Sequence, residues 1–399
     1  MTSRNILLLF IVLFAFGSCK QQPKDSSEFS PEKAKETLDF AIQQYKGMIP
    51  KVPEGVLPSS FIDGEFKTTG INGWVSGFYP GSLWYLYEYS NDESLKAEAE
   101  KKTWLLEPIK NNTGTHDLGF MIFCSYGNAY RITKNEDYAP VIIKGSESLS
   151  TRFNETAGVI KSWDFTRGDD WSYPVIIDNM MNLEMLLWAS DYSDNPRFKE
   201  IALSHADTTM KHHYREDYST WHVVDYDTVN GGAKGKMTHQ GYSDESSWAR
   251  GQAWGLYGYT MMYRMTGRTK YLDFAKKIAD FILTHPNLPE DKIPYWDFDA
   301  PDIPDAYRDA SSGAIIASAL LDMSKLVNDE SLSTLYYDNA SQMLSSLSSP
   351  DYLAELNENG NFILMHGVGH LPGNSQIDVP LSYGDYYFIE ALVRYLDAQ

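Results

Sequence analysis

Behind Ser30, which can cap a helix, and Pro31 at the first helical position, apolar residues recur at three- and four-residue intervals as far as Met48. The same period returns at roughly 74–91, 92–111, 117–133, 136–153, 175–192, 196–215, 246–266, 269–285, 308–327, 331–348 and 383–397, which predicts about twelve helices. Ten of them form five consecutive pairs joined by short polar turns, among them Ser90-Asn91-Asp92-Glu93, Thr133-Lys134-Asn135-Glu136, Ser193-Asp194-Asn195-Pro196 and Thr266-Gly267-Arg268-Thr269. Connections this short make antiparallel neighbours. The first and last helices are left over and are expected to pair as a sixth hairpin, closing the chain into a ring. Strand-like patches are few, and the clearest runs from Trp221 to Tyr226.

The links between hairpins are of another kind: long, and rich in Gly, Trp, Tyr, Asp and His. They include Asn72-Gly73-Trp74, Asn112 to Asp117, Trp163 to Tyr173, Trp221 to Ser247, Tyr295 to Asp309 and His366 to Tyr383. In a ring of antiparallel hairpins every long link emerges at one end, so chemistry-bearing loops should gather on one rim and enclose a single cleft. Each link also feeds a helix N-terminus, where free N–H groups favour anionic ligands.

Composition narrows the use of that cleft. With 43% hydrophobic residues in 399 the chain can build a large core, and 54 acids against 34 Lys plus Arg give a formal charge of −20. That balance leaves no cationic footprint for nucleic acid and disfavours electrostatic adsorption to anionic lipid. The 27 Tyr, 18 Phe and 10 Trp provide more ring surface than a core requires, and sugar stacking is one use for it.

Residues 1–18 read as a signal peptide: Arg4 precedes an apolar run from Ile6 to Phe16, too short to span a bilayer, and Gly17-Ser18 precede Cys19. Small residues before a cysteine are similar to a bacterial lipoprotein cleavage site. Cys19 would then carry lipid, residues 19–30 would form a polar tether, and residues 31–399 the catalytic domain, held in the periplasm or cell envelope. Apart from that anchor no membrane partner is expected. Cys124, among Met121, Ile122 and Phe123, is read as buried.

Two acids stand where rim loops enter helices. Asp178 lies in the apolar stretch Val175-Ile176-Ile177-Asp178-Asn179-Met180-Met181, where burial would raise its pKa and keep a proton near neutrality. Taken alone it could equally be a helix-start acid or half of a buried ion pair. Asp117, in His116-Asp117-Leu118-Gly119, has the same ambiguity; two carboxylates converging on one cleft form the pattern of carbohydrate acid–base chemistry. Arg250 and Trp254 are four apart and share a helix face, so a guanidinium fork could hold a carboxylate beside a stacking ring, or the pair could be an ion-pair partner and a core residue. His222 and Gln240 lie on the segment leading to that helix. No zinc helix, calcium loop, nucleophile elbow, phosphate loop or dinucleotide fingerprint is present, and neither a metal nor another cofactor is called for.

Eight motifs in order complete the picture: Trp74-Val75-Ser76-Gly77-Phe78-Tyr79, His116 to Phe120, Ile176 to Asn179, Thr238 to Gly241, Trp248 to Trp254, Tyr295 to Phe298, Tyr307-Arg308-Asp309 and Gly384 to Tyr387. With them the chain resembles the unsaturated glucuronyl hydrolases of glycoside hydrolase family 88, from about residue 31 to the C-terminus. The related rhamnogalacturonyl hydrolases share the fold and the chemistry but match these runs less well. The resemblance implies an all-α (α/α)6 toroid, Asp178 as acid–base catalyst, Asp117 as second essential acid, and substrate contacts from Trp74, His222, Gln240, Arg250 and Trp254. It implies an unsaturated uronyl oligosaccharide substrate cut beforehand by a polysaccharide lyase, whose C4=C5 enol ether is hydrated. Some members hold a sulfate with Ser and Lys in the loop corresponding to 366–381; no Lys or Arg occurs here between Lys325 and Arg394. An inverting hydrolase of saturated glycosides and a non-catalytic glycan-binding lipoprotein remain as the other readings.

Overall fold

The computed structural model describes residues 29–165 and 171–398, so the predicted signal peptide and most of the tether lie outside the described residues. Twelve α-helices follow in order: α1 Pro31–Met48, α2 Phe78–Ser90, α3 Glu93–Leu105, α4 Asn128–Thr133, α5 Ala139–Ser150, α6 Leu183–Ser193, α7 Pro196–His212, α8 Ala249–Thr266, α9 Thr269–Thr284, α10 Ala310–Leu326, α11 Glu330–Leu347 and α12 Ser382–Leu396. Four small antiparallel sheets lie in the long links, formed by β1 Leu57–Ile62 with β2 Glu65–Thr69, β3 Phe153–Asn154 with β4 Val159–Ile160, β5 Pro174–Ile176 with β6 Val223–Tyr226 and β7 Ala233–Met237, and β8 Gly367–His370 with β9 Ser375–Val379.

The even-numbered helices form the inner ring. Contacts pass from α2 to the segment before α4, to α6 and the turn before it, and on through α8, α10 and α12 back to α2. Each outer helix packs on its hairpin partner, and α1 closes the ring against α12 and α2. This is the (α/α)6 toroid. Burial separates the two layers as the sequence pattern requires. In α8 every residue from Ala249 to Met262 is buried, whereas outer α9 buries only the stripe Tyr271, Leu272, Ala275, Ile278, Ala279 and Ile282. The short turns repeat one device, a left-handed residue closing the inner helix at Asn91, Lys134, Asp194 and Gly267.

Three predicted elements differ in detail. Phe29 and Ser30, placed in the tether, are already docked: Phe29 is buried, its carbonyl accepts from Tyr395 Oη at 2.7 Å, and Ser30 caps α1. The helix expected over 117–133 begins as a π-helix, Gly119–Gly127, and the one expected over 175–192 begins as strand β5 and a 3-10 stretch, Ile177–Asn182. Pairing of β5 with β6 holds residues 174–176 extended, so Asp178 enters on a tight turn and not within α6. Cys124, in the π-helix, packs against the core but is partly exposed, on the wall of a second cavity of about 400 Å³ at the short-turn end.

The two irregular starts touch. A Cβ at Gly119 would stand 2.4 Å from Asn182 Cα, and Asn182 Oδ1 accepts from the Phe120 amide at 3.0 Å. This close approach brings the segment after Asp117 against the segment after Asp178. Gly119→Ala is expected to cost about 1–3 kcal/mol by overpacking. A denaturant titration measures it, and unchanged stability would contradict the contact.

Candidate active site

The long links meet at the rim where the inner helices begin, around a cleft of about 320 Å³. Trp74, His116, Asp117, Asp178, Gln240 and Arg250 line it together with Ile176, Trp163, Phe165, His239, Gly369, His370, Ser375, Gln376 and Tyr383. The structure therefore brings five of the seven predicted site residues onto one wall: Trp74, Asp117, Asp178, Gln240 and Arg250. His222 and Trp254 stand behind Asp178.

Asp178 is 7% exposed and its Oδ1 is buried without a hydrogen-bond partner. Burial raises its pKa from 3.8 to about 7; the Arg250 charge opposes the rise and the Asp117 charge adds to it. His222 approaches from below, Nε2 lying 3.7 Å from Asp178 Oδ1. Its Nδ1 accepts from the amides of His239 and Gln240, both at 3.1 Å, which leaves the ring proton on Nε2, aimed at the carboxyl. Burial holds this imidazole far below its ordinary pKa, so it stays neutral.

Asp117 is fixed from two sides. Thr115 Oγ1 donates to Oδ2 at 3.0 Å, and His116 Nε2 lies 3.2 Å from Oδ1. His116 is buried, which lowers its pKa. Thr115 is thus the hydrogen-bond donor to Asp117, and the neutral imidazole lies against its other oxygen.

Arg250 is a hub. Nη1 donates to Asp309 Oδ2 at 3.1 Å and to the Val368 carbonyl, and Nη2 donates to Gly369 O at 2.6 Å. The guanidinium also lies over the rings of Trp248 and Tyr383, at 4.6 and 5.2 Å. Three of its five N–H groups are engaged by the protein, so the fork imagined for a substrate carboxylate is a structural ion pair with two donors left over. Gln240 Nε2 grips the same Gly369 carbonyl at 3.0 Å. Together they pin β8 to the rim.

Trp254 corrects the reading that set its ring against substrate. It is fully buried between Phe120 and Tyr387, at 5.1 and 5.3 Å, because its position on α8 points to the barrel axis. Its indole bears on the Asp178 carboxyl from below and lowers its pKa, although Nε1 has no hydrogen-bond partner. A half-buried ring on the wall is Trp74, packed on Tyr383 at 4.9 Å.

Several wall residues had no role assigned in advance. Trp163 stacks on Phe165 at 4.9 Å, beside His239, whose ring meets that of His370 at a tilt with centroids 4.6 Å apart. The aromatic loading of the rim loops was the available signal. Asp309, capping α10 and accepting from Ser311, Ser312 and the Val368 amide besides Arg250, stood in a motif without an assigned task. Among the described residues no cluster of His, Cys, Asp and Glu could hold a metal ion.

The chain is similar to proteins of one family. An unsaturated glucuronyl hydrolase of Formosa agariphila is 48% identical over 322 residues, 80% of this chain and 79% of its own length. One from Bacillus sp. is 31% identical over 324 residues, 80% of this chain and 85% of its own. The crystal structure of an unsaturated glucuronyl hydrolase specific for heparin superposes with a TM-score of 0.89 at 47% identity, covering 92% of this chain and 98% of that one. The glycosyl hydrolase family 88 model matches residues 51–395. The protein is a glycosidase, and the chain belongs to glycosyl hydrolase family 88.

Proposed function

We propose that the cleft removes the 4,5-unsaturated uronic acid from the non-reducing end of lyase-cut, glycosaminoglycan-type oligosaccharides by hydrating its enol ether. The observation that carries this is the Asp178 carboxyl, buried and holding a proton to about pH 7 beside a second, hydrogen-bonded acid. Asp178 gives its proton to C4, which leaves a cationic C5. Asp117, held by Thr115 and His116, sets a negative charge near that centre. Asp178, now a carboxylate with the His222 Nε2 side 3.7 Å away, takes a proton from the water that attacks C5. The C5 hemiketal collapses, the ring opens, and the aglycone leaves from C1. Trp74, Gln240 and the two remaining Arg250 donors bind the uronate, while the Trp163–Phe165 stack and the His239–His370 pair offer ring faces to the next sugar.

A relative named for heparin specificity makes heparin-derived disaccharides the first substrates to try. Incubation should abolish their double-bond ultraviolet absorbance, and saturated uronides should be untouched. Turnover of saturated substrates without absorbance loss would favour an inverting glycosidase. Because the acid must arrive protonated, kcat/KM should fall about tenfold per pH unit above about pH 7. A flat profile to pH 9 would remove Asp178 from the role.

We also place the protein in the bacterial envelope, anchored by lipid on Cys19. The support is the sequence alone: a short apolar run, small residues and a cysteine.

A further inference from the structure

The end of the toroid opposite the cleft carries two features that the reaction does not use. The first is where the chain enters the fold. Inner helices begin at the cleft rim, so outer helices run the other way, and α1, an outer helix, begins at the short-turn end with Phe29 docked on Tyr395. The second is an exposed aromatic stack at the same end, near the C-termini of α4 and α6. Trp188 and Tyr192 lie parallel at 4.8 Å and Tyr130 meets both edge-on, with Tyr192 42% exposed. Rings with a polar tip and an open face suit the boundary between headgroups and acyl chains.

From these we infer that the short-turn end of the toroid is the surface that faces the bilayer, and that the active-site cleft opens away from it. The inference rests on the reading that Cys19 carries lipid. Ten Cα–Cα steps lead from Cys19 to Phe29, a reach of at most about 36 Å and an r.m.s. span of about 19 Å for a flexible chain. The barrel wall beside it, set by the 18 residues of α1, is about 27 Å tall. To turn the cleft toward the membrane the link would have to climb that wall almost fully extended. With the short-turn end down it needs no extension, and the stack meets the headgroup layer. Acids and bases are mixed there, Lys134 beside Glu136, which accepts from the Tyr130 and Tyr192 hydroxyls, and Lys270 paired with Asp207 of α7, so orientation follows from the tether and the rings and not from anionic lipid. The cleft then faces soluble oligosaccharides diffusing through the compartment.

The test uses the full-length chain expressed in a Gram-negative bacterium, with Cys124→Ser and one reporter cysteine, at Thr269→Cys on a short turn or at Asp302→Cys on the rim. Mass spectrometry of membrane-extracted protein first reads acylation of Cys19. After reconstitution in phosphatidylethanolamine–phosphatidylglycerol vesicles containing nitroxide-headgroup lipid, the fluorophore at 269 should be quenched several-fold more than that at 302. Acylated protein with equal or reversed quenching overturns the orientation and leaves the anchor standing. An unmodified Cys19 overturns the anchor and the orientation with it, leaving the catalytic reading untouched.

Discussion

Asp178→Asn is expected to abolish turnover and to make the protein more stable. Its side chain would serve first as acid and then as base, and each role contributes about 10²–10⁴-fold, so kcat should fall at least about 10³-fold. KM should change little, since an amide keeps the shape. The stability gain follows from the carboxyl's displaced titration. Its pKa is about 7 when folded against 3.8 when exposed, so the folded chain holds the proton more tightly. That contribution is fully present below about pH 3.8 and is lost as pH rises through 7. At pH 8 the buried carboxylate costs up to about 4 kcal/mol relative to a neutral group. The melting-temperature advantage of the Asn variant should therefore grow between about pH 4 and pH 7 and level off above. A variant that is less stable at every pH would make Asp178 a structural acid, as a non-catalytic glycan-binding protein requires.

Arg250→Ala should have the largest effect on the fold. Arg250 and Asp309 are both almost fully buried, and deleting one partner of such a pair costs about 3–5 kcal/mol, because the other charge is left without compensation. The Val368 carbonyl loses its Arg250 donor and the Gly369 carbonyl is left with Gln240 alone, so β8 and the cleft wall loosen. Removing the nearby cation also removes a force that keeps the Asp178 pKa down, so the alkaline limb of the rate profile should move to higher pH. Adding Asp309→Ala eliminates the orphaned charge and should restore part of the lost stability without restoring kcat/KM. Additive losses in the double variant would contradict a direct pair.

The ring was legible because hairpin spacing, left-handed turn residues and helix amphipathicity are local properties. Five short turns and one leftover pair already specify a closed ring of antiparallel helices, and closure puts Trp74, Asp117, Asp178, Gln240 and Arg250 on one rim. What stayed hidden depends on contacts distant in sequence. That Arg250 belongs to Asp309, 59 residues on, and to the carbonyls of β8, is a fact of packing. Periodicity put Trp254 on the same face as Arg250, yet one turn deeper that face is barrel axis and not cleft. The extended entry to Asp178 follows from the pairing of Val175 with Val224 across an intervening hairpin, which no local pattern in 175–192 reveals. The His222 tautomer is likewise set by two amides 17 and 18 residues away.

In the proposed reaction water adds to C5 of an unsaturated ring and does not cleave the glycosidic bond at C1. Turnover of a lyase-cut heparin disaccharide in ¹⁸O-water, with the product reduced at once by borohydride and its fragments weighed by mass spectrometry, distinguishes the two. Hydration places the label on C5; label on C1 would contradict the account.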